Sequence, residues 1–162
     1  MTKFFIFDCD ETLWVSKTHD YLSSIESDLV VSGRVITRTA DGAKFILRKG
    51  IPEAFEYLSA AGNTIGIASD NQLQMVGRAL ELFGLNRFVP SAAINVQLWD
   101  GHCPKHLMIE EILQRPAFKA TKRSDVFWFD DKNYTKKSVE IGVHFVLVTQ
   151  GFDLPGYIRS VT

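Results

Sequence analysis

Residues 3–14 of the chain read KFFIFDCDETLW, and they combine a buried-strand pattern with two closely spaced carboxylates. Four bulky apolar residues run without a break and end at Asp8, with Asp10 two positions later. A short apolar run rich in Phe and Ile is typical of a strand buried on both faces. Side chains two apart in a strand point the same way, so both carboxylates are expected to start out facing together.

Placing Asp8 beside Asp10 has an energetic cost. Two unit charges about 4 Å apart repel by roughly 4 kcal/mol at an effective dielectric constant near 20. A bound cation, or a reaction that needs negative charge, would explain this cost. The structural alternative is a turn or helix cap, where acidic residues are common. An EF-hand calcium loop fits poorly, because Thr12 and Leu13 stand where that loop needs Asp or Asn and then Gly.

Length and composition limit what the chain can be. Its 162 residues suffice for one ordinary domain, and 19 acidic residues nearly balance 18 basic ones. We therefore expect a single domain over residues 1–162, without a nucleic-acid partner. No apolar run approaches the ~18 residues of a membrane span, and no signal peptide is visible. We therefore expect no membrane partner. Two cysteines make no disulfide framework, which suggests a reducing compartment, so we expect a cytoplasmic protein. An oligomer is neither indicated nor excluded.

The rest of the chain alternates between predicted strands and helices. Apolar runs predict strands at residues 64–68, 92–96, 124–129 and 144–148, and helical patterns lie at residues 53–61, 72–83, 104–114 and 135–141. This order predicts a three-layer, Rossmann-like α/β fold with a parallel sheet and helices on both faces. The short distance from Ser69 to Lys105 leaves no room for a large cap domain.

An insertion follows the first strand. Two β-rich runs flank Asp41-Gly42, which predicts a small β-hairpin flap at about residues 29–49. A two-residue turn there would place Ile36 opposite Leu47 and Arg38 opposite Phe45. The flap carries several cations, which either attract an anionic substrate or discourage edge-to-edge aggregation: Arg34, Arg38, Lys44, Arg48 and Lys49.

Polar residues follow the predicted strands at the point where each one ends. In open parallel sheets, ligands bind outside the carboxyl ends of the strands. The side chains expected to meet at this edge are Asp8 and Asp10 after the first strand, Ser69 after the second, Lys105 at the start of a helix, and Asp130 and Asp131 after the fourth.

In their order and spacing these residues resemble the four motifs of the haloacid-dehalogenase-like (HAD) superfamily. The resemblance spans residues 4–148, and its specific parts are the first motif, DCDETLW, and the last, FWFDD. Within the superfamily the chain looks like the small magnesium-dependent phosphatases. It is also similar, more distantly, to phosphatases of the RNA polymerase tail.

The resemblance implies a Mg²⁺-dependent phosphatase, a phosphoric monoester hydrolase. Asp8 would be the nucleophile that forms an aspartyl-phosphate, and Asp10 would protonate the leaving oxygen and later accept a proton from water. Mg²⁺ would be held by the Asp8 carboxylate, the Asp10 backbone carbonyl and the Asp131 carboxylate, with Asp130 supporting them.

The remaining motif residues are expected to assist. Ser69 would hydrogen-bond a phosphoryl oxygen, and Lys105 would balance charge on Asp8 and the phosphate. The structural alternatives are a helix cap for the serine and a solvated surface charge for the lysine, with Lys132 as a rival cation. Thr12 is expected to fix its loop by hydrogen bonds. Asp70 and Asn71 are expected either to do the same or to cap the helix that follows them.

The sequence allows more than one class of substrate and more than one function. An open site suits a phosphoprotein or a bulky phosphomonoester, and small sugar phosphates are also allowed. Other functions for the same residues are a phosphotransferase, a dehalogenase that uses Asp8, and a non-catalytic binding domain. A zinc site fits poorly, because His102, Cys103 and His106 have no fourth ligand nearby.

Overall fold

The computed structural model describes residues 2–16, 29–99 and 104–162. Its strands are β1 (Phe4–Phe7), β2 (Trp14–Ser16), β3 (Leu29–Ser32), β4 (Val35–Arg38), β5 (Lys44–Leu47), β6 (Thr64–Ser69), β7 (Ile94–Val96), β8 (Val126–Asp130) and β9 (His144–Leu147). Its helices are α1 (Ile51–Ala60), α2 (Leu73–Leu82), α3 (Lys105–Gln114), α4 (Thr135–Ile141) and α5 (Leu154–Val161).

A five-stranded parallel sheet forms the middle layer, in the order β7-β6-β1-β8-β9. The central strand β1 is buried on both faces, as an unbroken apolar run predicts. Phe5 and Phe7 join the core beneath α1, α2 and α5, whereas Phe4 and Ile6 join the core beneath α3. The predicted three-layer, Rossmann-like α/β fold is confirmed.

A second, four-stranded antiparallel sheet of order β2-β5-β4-β3 contains the flap. The predicted register is wrong, because Ile36 pairs with Phe45 rather than Leu47. The loop is longer than two residues, because the hairpin is closed by the Arg38 N–H, which donates to the Ala43 carbonyl at 2.9 Å. The loop therefore spans residues 39–42 and includes the Asp-Gly pair. The Asp41 carboxylate accepts from the Ala43 N–H at 3.0 Å and from Arg38 Nε at 2.9 Å, and these bonds stabilise the wider loop.

Two elements, β2 and α5, do not follow from the sequence patterns. Strand β2 has three residues, and the helix opens with Pro155 and Gly156 directly after its first residue. Between Ser69 and Lys105 the described residues form α2, β7 and short 3₁₀ turns, and no large cap domain lies among them. The described helices include none that combines the length and the apolar character needed to cross a bilayer.

Gly66 in β6 lies where there is no room for a side chain. A Cβ atom there would lie 2.7 Å from Phe4 Cε2 and 2.9 Å from the Ala93 carbonyl oxygen. We expect Gly66→Ala to lower the free energy of unfolding by about 1–3 kcal/mol, because overpacking a filled core forces strain. Urea unfolding measures this change. The control is Gly77→Ala in α2, where a Cβ meets nothing within 4 Å and helix propensity predicts stabilisation. Equal effects of the two changes would contradict the packing explanation.

Candidate active site

The acidic residues meet at the carboxyl end of the parallel sheet. Asp8 directly follows β1, and its N–H donates to the Phe129 carbonyl of β8 at 2.9 Å. The backbone hydrogen bonds between β1 and β8 therefore continue as far as Asp8. Asp130 ends β8, and Asp131 follows it. Each of these three side chains offers a carboxylate oxygen, and the three oxygens lie within 4.8 Å of one another. This separation is short enough for one cation to bind all three.

Lys105 supplies the positive charge at the centre of this cluster. It is the first residue of α3, and its side chain is 3% exposed. Its Nζ forms ion pairs with Asp8 and with Asp130, the latter at 2.9 Å. Burial alone would lower the pKa of Lys105, but the two carboxylates raise it above its ordinary value, so the ammonium stays charged. The rival Lys132 is exposed, although it lines the same cavity.

A tight turn carries the chain from Asp8 to β2. The Cys9 carbonyl lies within hydrogen-bond distance of three successive N–H groups, of which Leu13 is the nearest at 2.8 Å. The turn requires a left-handed backbone at Glu11, with φ of 57°. Arg48 of the flap donates from Nη2 to the Glu11 carbonyl at 2.7 Å, which holds this unfavourable conformation in place. No sequence pattern singles out Arg48 for this contact.

Both oxygens of Asp10 accept a hydrogen bond. Trp14 Nε1 donates to Oδ1 at 2.9 Å, and Asn71 Nδ2 donates to Oδ2 at 2.7 Å. The indole comes from β2 in the flap sheet and the amide comes from the end of β6, so two elements fix the orientation of the carboxyl group. Sequence reasoning missed the role of Trp14, although its place four residues after Asp10 in the first motif was a usable signal.

Burial and mutual repulsion raise the pKa of the carboxyl groups. Burial, followed by the charge of Asp8, raises the pKa of Asp10 to about 6 and the pKa of Asp130 to about 7. The same two causes raise the pKa of Asp131. Burial also raises the pKa of the Cys9 thiol, which is therefore a neutral core group at pH 7. The cluster thus holds more negative charge than its surroundings stabilise.

We expect the stability of the protein without divalent cations to fall as the pH rises from about 5 to 8. A carboxyl group with a raised pKa binds its proton more tightly in the folded state than in the unfolded one. The folded state therefore loses stability between the unfolded pKa, near 4, and the folded values at Asp10 and Asp130, about 6 and about 7. Urea unfolding in chelator across this range measures the slope. A stability that is flat or rises with pH would contradict the assigned environment.

The other motif residues lie at the same sheet edge. Ser69 ends β6 and is 1% exposed, and its hydroxyl, close to the Cys9 thiol, has no hydrogen-bond partner among the described oxygen and nitrogen atoms. Thr12 is also fully buried, and its Oγ1 makes no hydrogen bond to a described residue. Thr12 contributes to the loop through its backbone, whose N–H donates to the Cys9 carbonyl at 3.2 Å.

Asp70 and Asn71 tie loops together and do not cap α2, whose first turn has no side-chain cap. The Asp70 carboxylate accepts from the Trp99 N–H at 3.0 Å, which joins the end of β6 to the segment after β7. Asn71 uses its amide nitrogen on Asp10 and its oxygen on the Gln72 N–H at 2.6 Å. Of the two predicted roles for this pair, the structure therefore shows loop fixation.

A cavity of about 350 Å³ opens above the carboxylates. Asp131 lines it, whereas Asp130 is completely buried behind Lys105. The cavity is charged at its base and partly apolar on one side, and its lining consists of Asp8, Asp10, Glu11, Asp70, Asn71, Gln72, Leu98, Trp99, Lys105, Asp131 and Lys132.

The cations of the flap are partly engaged in internal contacts. Arg34 donates to the Leu47 carbonyl at 2.9 Å, Arg38 pairs with Asp41, and Arg48 holds the Glu11 carbonyl. The lysines of the flap, Lys44 and Lys49, are exposed. His102 and Cys103, considered as zinc ligands, lie outside the described residues.

Structural comparison finds similar folds at low sequence identity. An uncharacterized protein from Listeria monocytogenes serotype 4b has a TM-score of 0.64 at 17% identity, over 96% of this chain and 85% of that one. A HAD-superfamily hydrolase from Ehrlichia chaffeensis has a TM-score of 0.60 at 17% identity, over 89% of this chain and 65% of that one. A dehalogenase matches at a TM-score of 0.50 and 17% identity, over 70% and 49% of the two chains. These likenesses show a shared fold.

Comparison with curated protein sequences gives no match. A family model described as acid phosphatase, in contrast, matches residues 1–162, the whole length of the chain. This match and the HAD-superfamily fold confirm the resemblance seen in the motifs. The chain belongs to the acid phosphatase family of HAD-like hydrolases.

Proposed function

We propose that this protein is a Mg²⁺-dependent phosphatase that hydrolyses phosphomonoesters through an aspartyl-phosphate on Asp8. The observation that carries the proposal is the contact of Lys105 Nζ with both Asp8 and Asp130, beside Asp131 and at the base of an open cavity. A buried ammonium group in contact with a carboxylate that lines an open cavity is the arrangement that a carboxylate nucleophile needs.

The donor set suits Mg²⁺. Its members are carboxylate oxygens, which this hard cation prefers. Burial and then the charge of Asp8 raise the pKa of Asp131, and a cation at the same place would offset both effects. Asp8, Asp131 and the backbone carbonyl of Asp10 would hold the ion, and Asp130 would support them through Lys105. When bound, Mg²⁺ would neutralise charge on the phosphoryl oxygens and on Asp8.

The first half of the reaction transfers the phosphoryl group to the protein. An oxygen of Asp8 attacks phosphorus and forms an O–P bond while the bond to the leaving oxygen breaks. Asp10, held by Trp14 and Asn71, gives its proton to that oxygen, and the alcohol departs. The raised pKa of Asp10, about 6, makes the protonated form available near neutral pH. Lys105 and the Ser69 hydroxyl would bind the phosphoryl oxygens.

The second half releases phosphate. A water oxygen attacks phosphorus, the bond to Asp8 breaks, and the water proton passes to Asp10. Each residue thereby returns to its starting state, and the products are inorganic phosphate and one alcohol. These two reaction steps require an acid at position 10. A dehalogenase would not need it, so the two hydrogen bonds that orient Asp10 favour the phosphatase.

Turnover of p-nitrophenyl phosphate with Mg²⁺ or with chelator tests the proposal. We expect activity that needs Mg²⁺, and a Mg²⁺-dependent rise in the thermal midpoint, because an ion bound only to the folded state stabilises it. Asp131→Asn should abolish both effects at the same Mg²⁺ concentration, whereas Glu81→Gln, in an exposed ion pair on α2, should abolish neither. Absence of turnover of any phosphomonoester in the wild-type protein would end the proposal.

A further inference from the structure

The active-site cavity has an apolar side that the proposed chemistry does not use. Leu98 and Trp99 line it, and they are 68% and 41% exposed, respectively. The base of the same cavity is charged, with Asp8 and Lys105 both at most 5% exposed. One end of the cavity therefore suits a phosphoryl group, and its mouth suits an apolar surface.

The two apolar residues, called here the apolar wall, are fixed to the catalytic edge of the sheet. The Gln97 N–H donates to the Ser69 carbonyl at 3.2 Å, and the Trp99 N–H donates to the Asp70 carboxylate at 3.0 Å. Both acceptors lie at the end of β6, and the next residue, Asn71, holds the carboxyl group of Asp10. The position of the wall is thus set by the same strand end that orients the proposed acid.

The geometry of phosphoryl transfer decides which part of a substrate meets this wall. In an in-line attack the leaving oxygen lies opposite the nucleophile, so the alcohol extends away from buried Asp8 and toward the mouth. The exposed apolar side chains that line the cavity are Leu98 and Trp99, and Lys132 is an exposed charged side chain in the same lining. A flat apolar alcohol would cover both and remove apolar surface from water, whereas the hydroxyl groups of a sugar would find a single polar group on these two side chains, the indole N–H of Trp99.

We propose that Leu98 and Trp99 bind the leaving alcohol and make aryl phosphates preferred over phosphates of polyhydroxylated alcohols. This inference rests on the proposed phosphatase function and names its substrate class. The wall acts on the first half of the reaction, because the alcohol has left before the aspartyl-phosphate is hydrolysed. Contacts with the alcohol therefore change kcat/KM. They leave kcat unchanged where hydrolysis of the phosphoenzyme, which is the same for every substrate, limits the rate.

The test compares phenyl phosphate with methyl phosphate, whose alcohol is too small to cover the wall. Trp99→Ala should lower kcat/KM for phenyl phosphate about tenfold, as expected for loss of an aromatic contact, and leave methyl phosphate within about twofold. Trp99→Phe should restore most of the phenyl phosphate value, and Leu98→Ala should repeat the selective loss to a smaller extent. The control, Val139→Ala, removes an apolar side chain that is 74% exposed on α4, and it should change neither substrate.

Three results would overturn the inference. An equal loss on both substrates in Trp99→Ala, or no loss on either, would show that the wall does not contact the alcohol, and the phosphatase function would stand. A preference of the wild-type protein for glucose 6-phosphate over phenyl phosphate would exclude the substrate class. Failure of the wild-type protein to hydrolyse p-nitrophenyl phosphate as well as these three esters would overturn the proposed function, and this inference with it.

Discussion

Asp8→Asn is expected to abolish phosphatase turnover, by at least about 10⁴-fold, without unfolding the protein. An amide nitrogen or oxygen in place of the carboxylate cannot form the proposed phosphoenzyme. The same change removes a charge that raises the pKa of three neighbours, namely Asp10, Asp130 and Asp131. We therefore expect stability in chelator to be at least that of the wild type, and less dependent on pH. Loss of activity with a gain or no change in stability is typical of a functional residue.

Steady-state kinetics and urea unfolding measure the two effects of Asp8→Asn. The control is Asp125→Asn, which makes the same chemical change beside the opposite end of β8 and should leave turnover intact. Near-normal activity of Asp8→Asn would remove this residue from the mechanism. A large loss of stability would instead identify Asp8 as a structural partner of Lys105.

Lys105→Met is expected to reduce kcat/KM by about 10²- to 10³-fold, the usual effect of removing one group that stabilises developing negative charge. It should also destabilise the protein by about 3–5 kcal/mol, because Asp8 and Asp130 lose the cation that compensates their burial. The loss should grow from pH 5 to pH 8 as the carboxyl groups ionise. Kinetics at saturating Mg²⁺ and urea unfolding at the two pH values measure these effects.

The control for Lys105→Met is Lys132→Met, in the same cavity. Its exposed ammonium has water as a partner, so the same substitution should change stability by less than about 1 kcal/mol. The pair of variants thus decides between the two lysines that the sequence offers. Equal effects at both positions would mean that only the total charge of the cavity matters.

The sequence predicts the elements that bury apolar surface continuously. Strand β1 is an unbroken apolar run, β8 is apolar up to Asp130, and β6 is apolar between Thr64 and Ser69. The ends of these strands place the acidic groups, so both the sheet and its functional edge follow from the chain alone. Helix α5 does not, because Gly156 in its first turn is a poor helix former and the helix is stabilised by the burial of Leu154 and Ile158. The three residues of β2 are likewise too few to establish a periodicity.

Side-chain hydrogen bonds between distant segments are the part that sequence patterns do not predict. The flap register depends on bonds of Asp41 to Arg38 and Ala43, which override the two-residue turn that Asp-Gly suggests. The contact of Arg48 with the Glu11 carbonyl joins residues 37 apart, and nothing in either local pattern requires it. The apolar wall depends on where the chain after β7 is held, which only the packed structure determines.

Trp14 of β2 joins the small sheet to the proposed acid, because it pairs with Leu47 of β5 and its indole N–H donates to Asp10. A swinging lid would have to break this bond at every turnover. We therefore expect the small sheet to behave as a fixed support for the catalytic turn, so that substrates enter and leave on the opposite side, past Leu98 and Trp99.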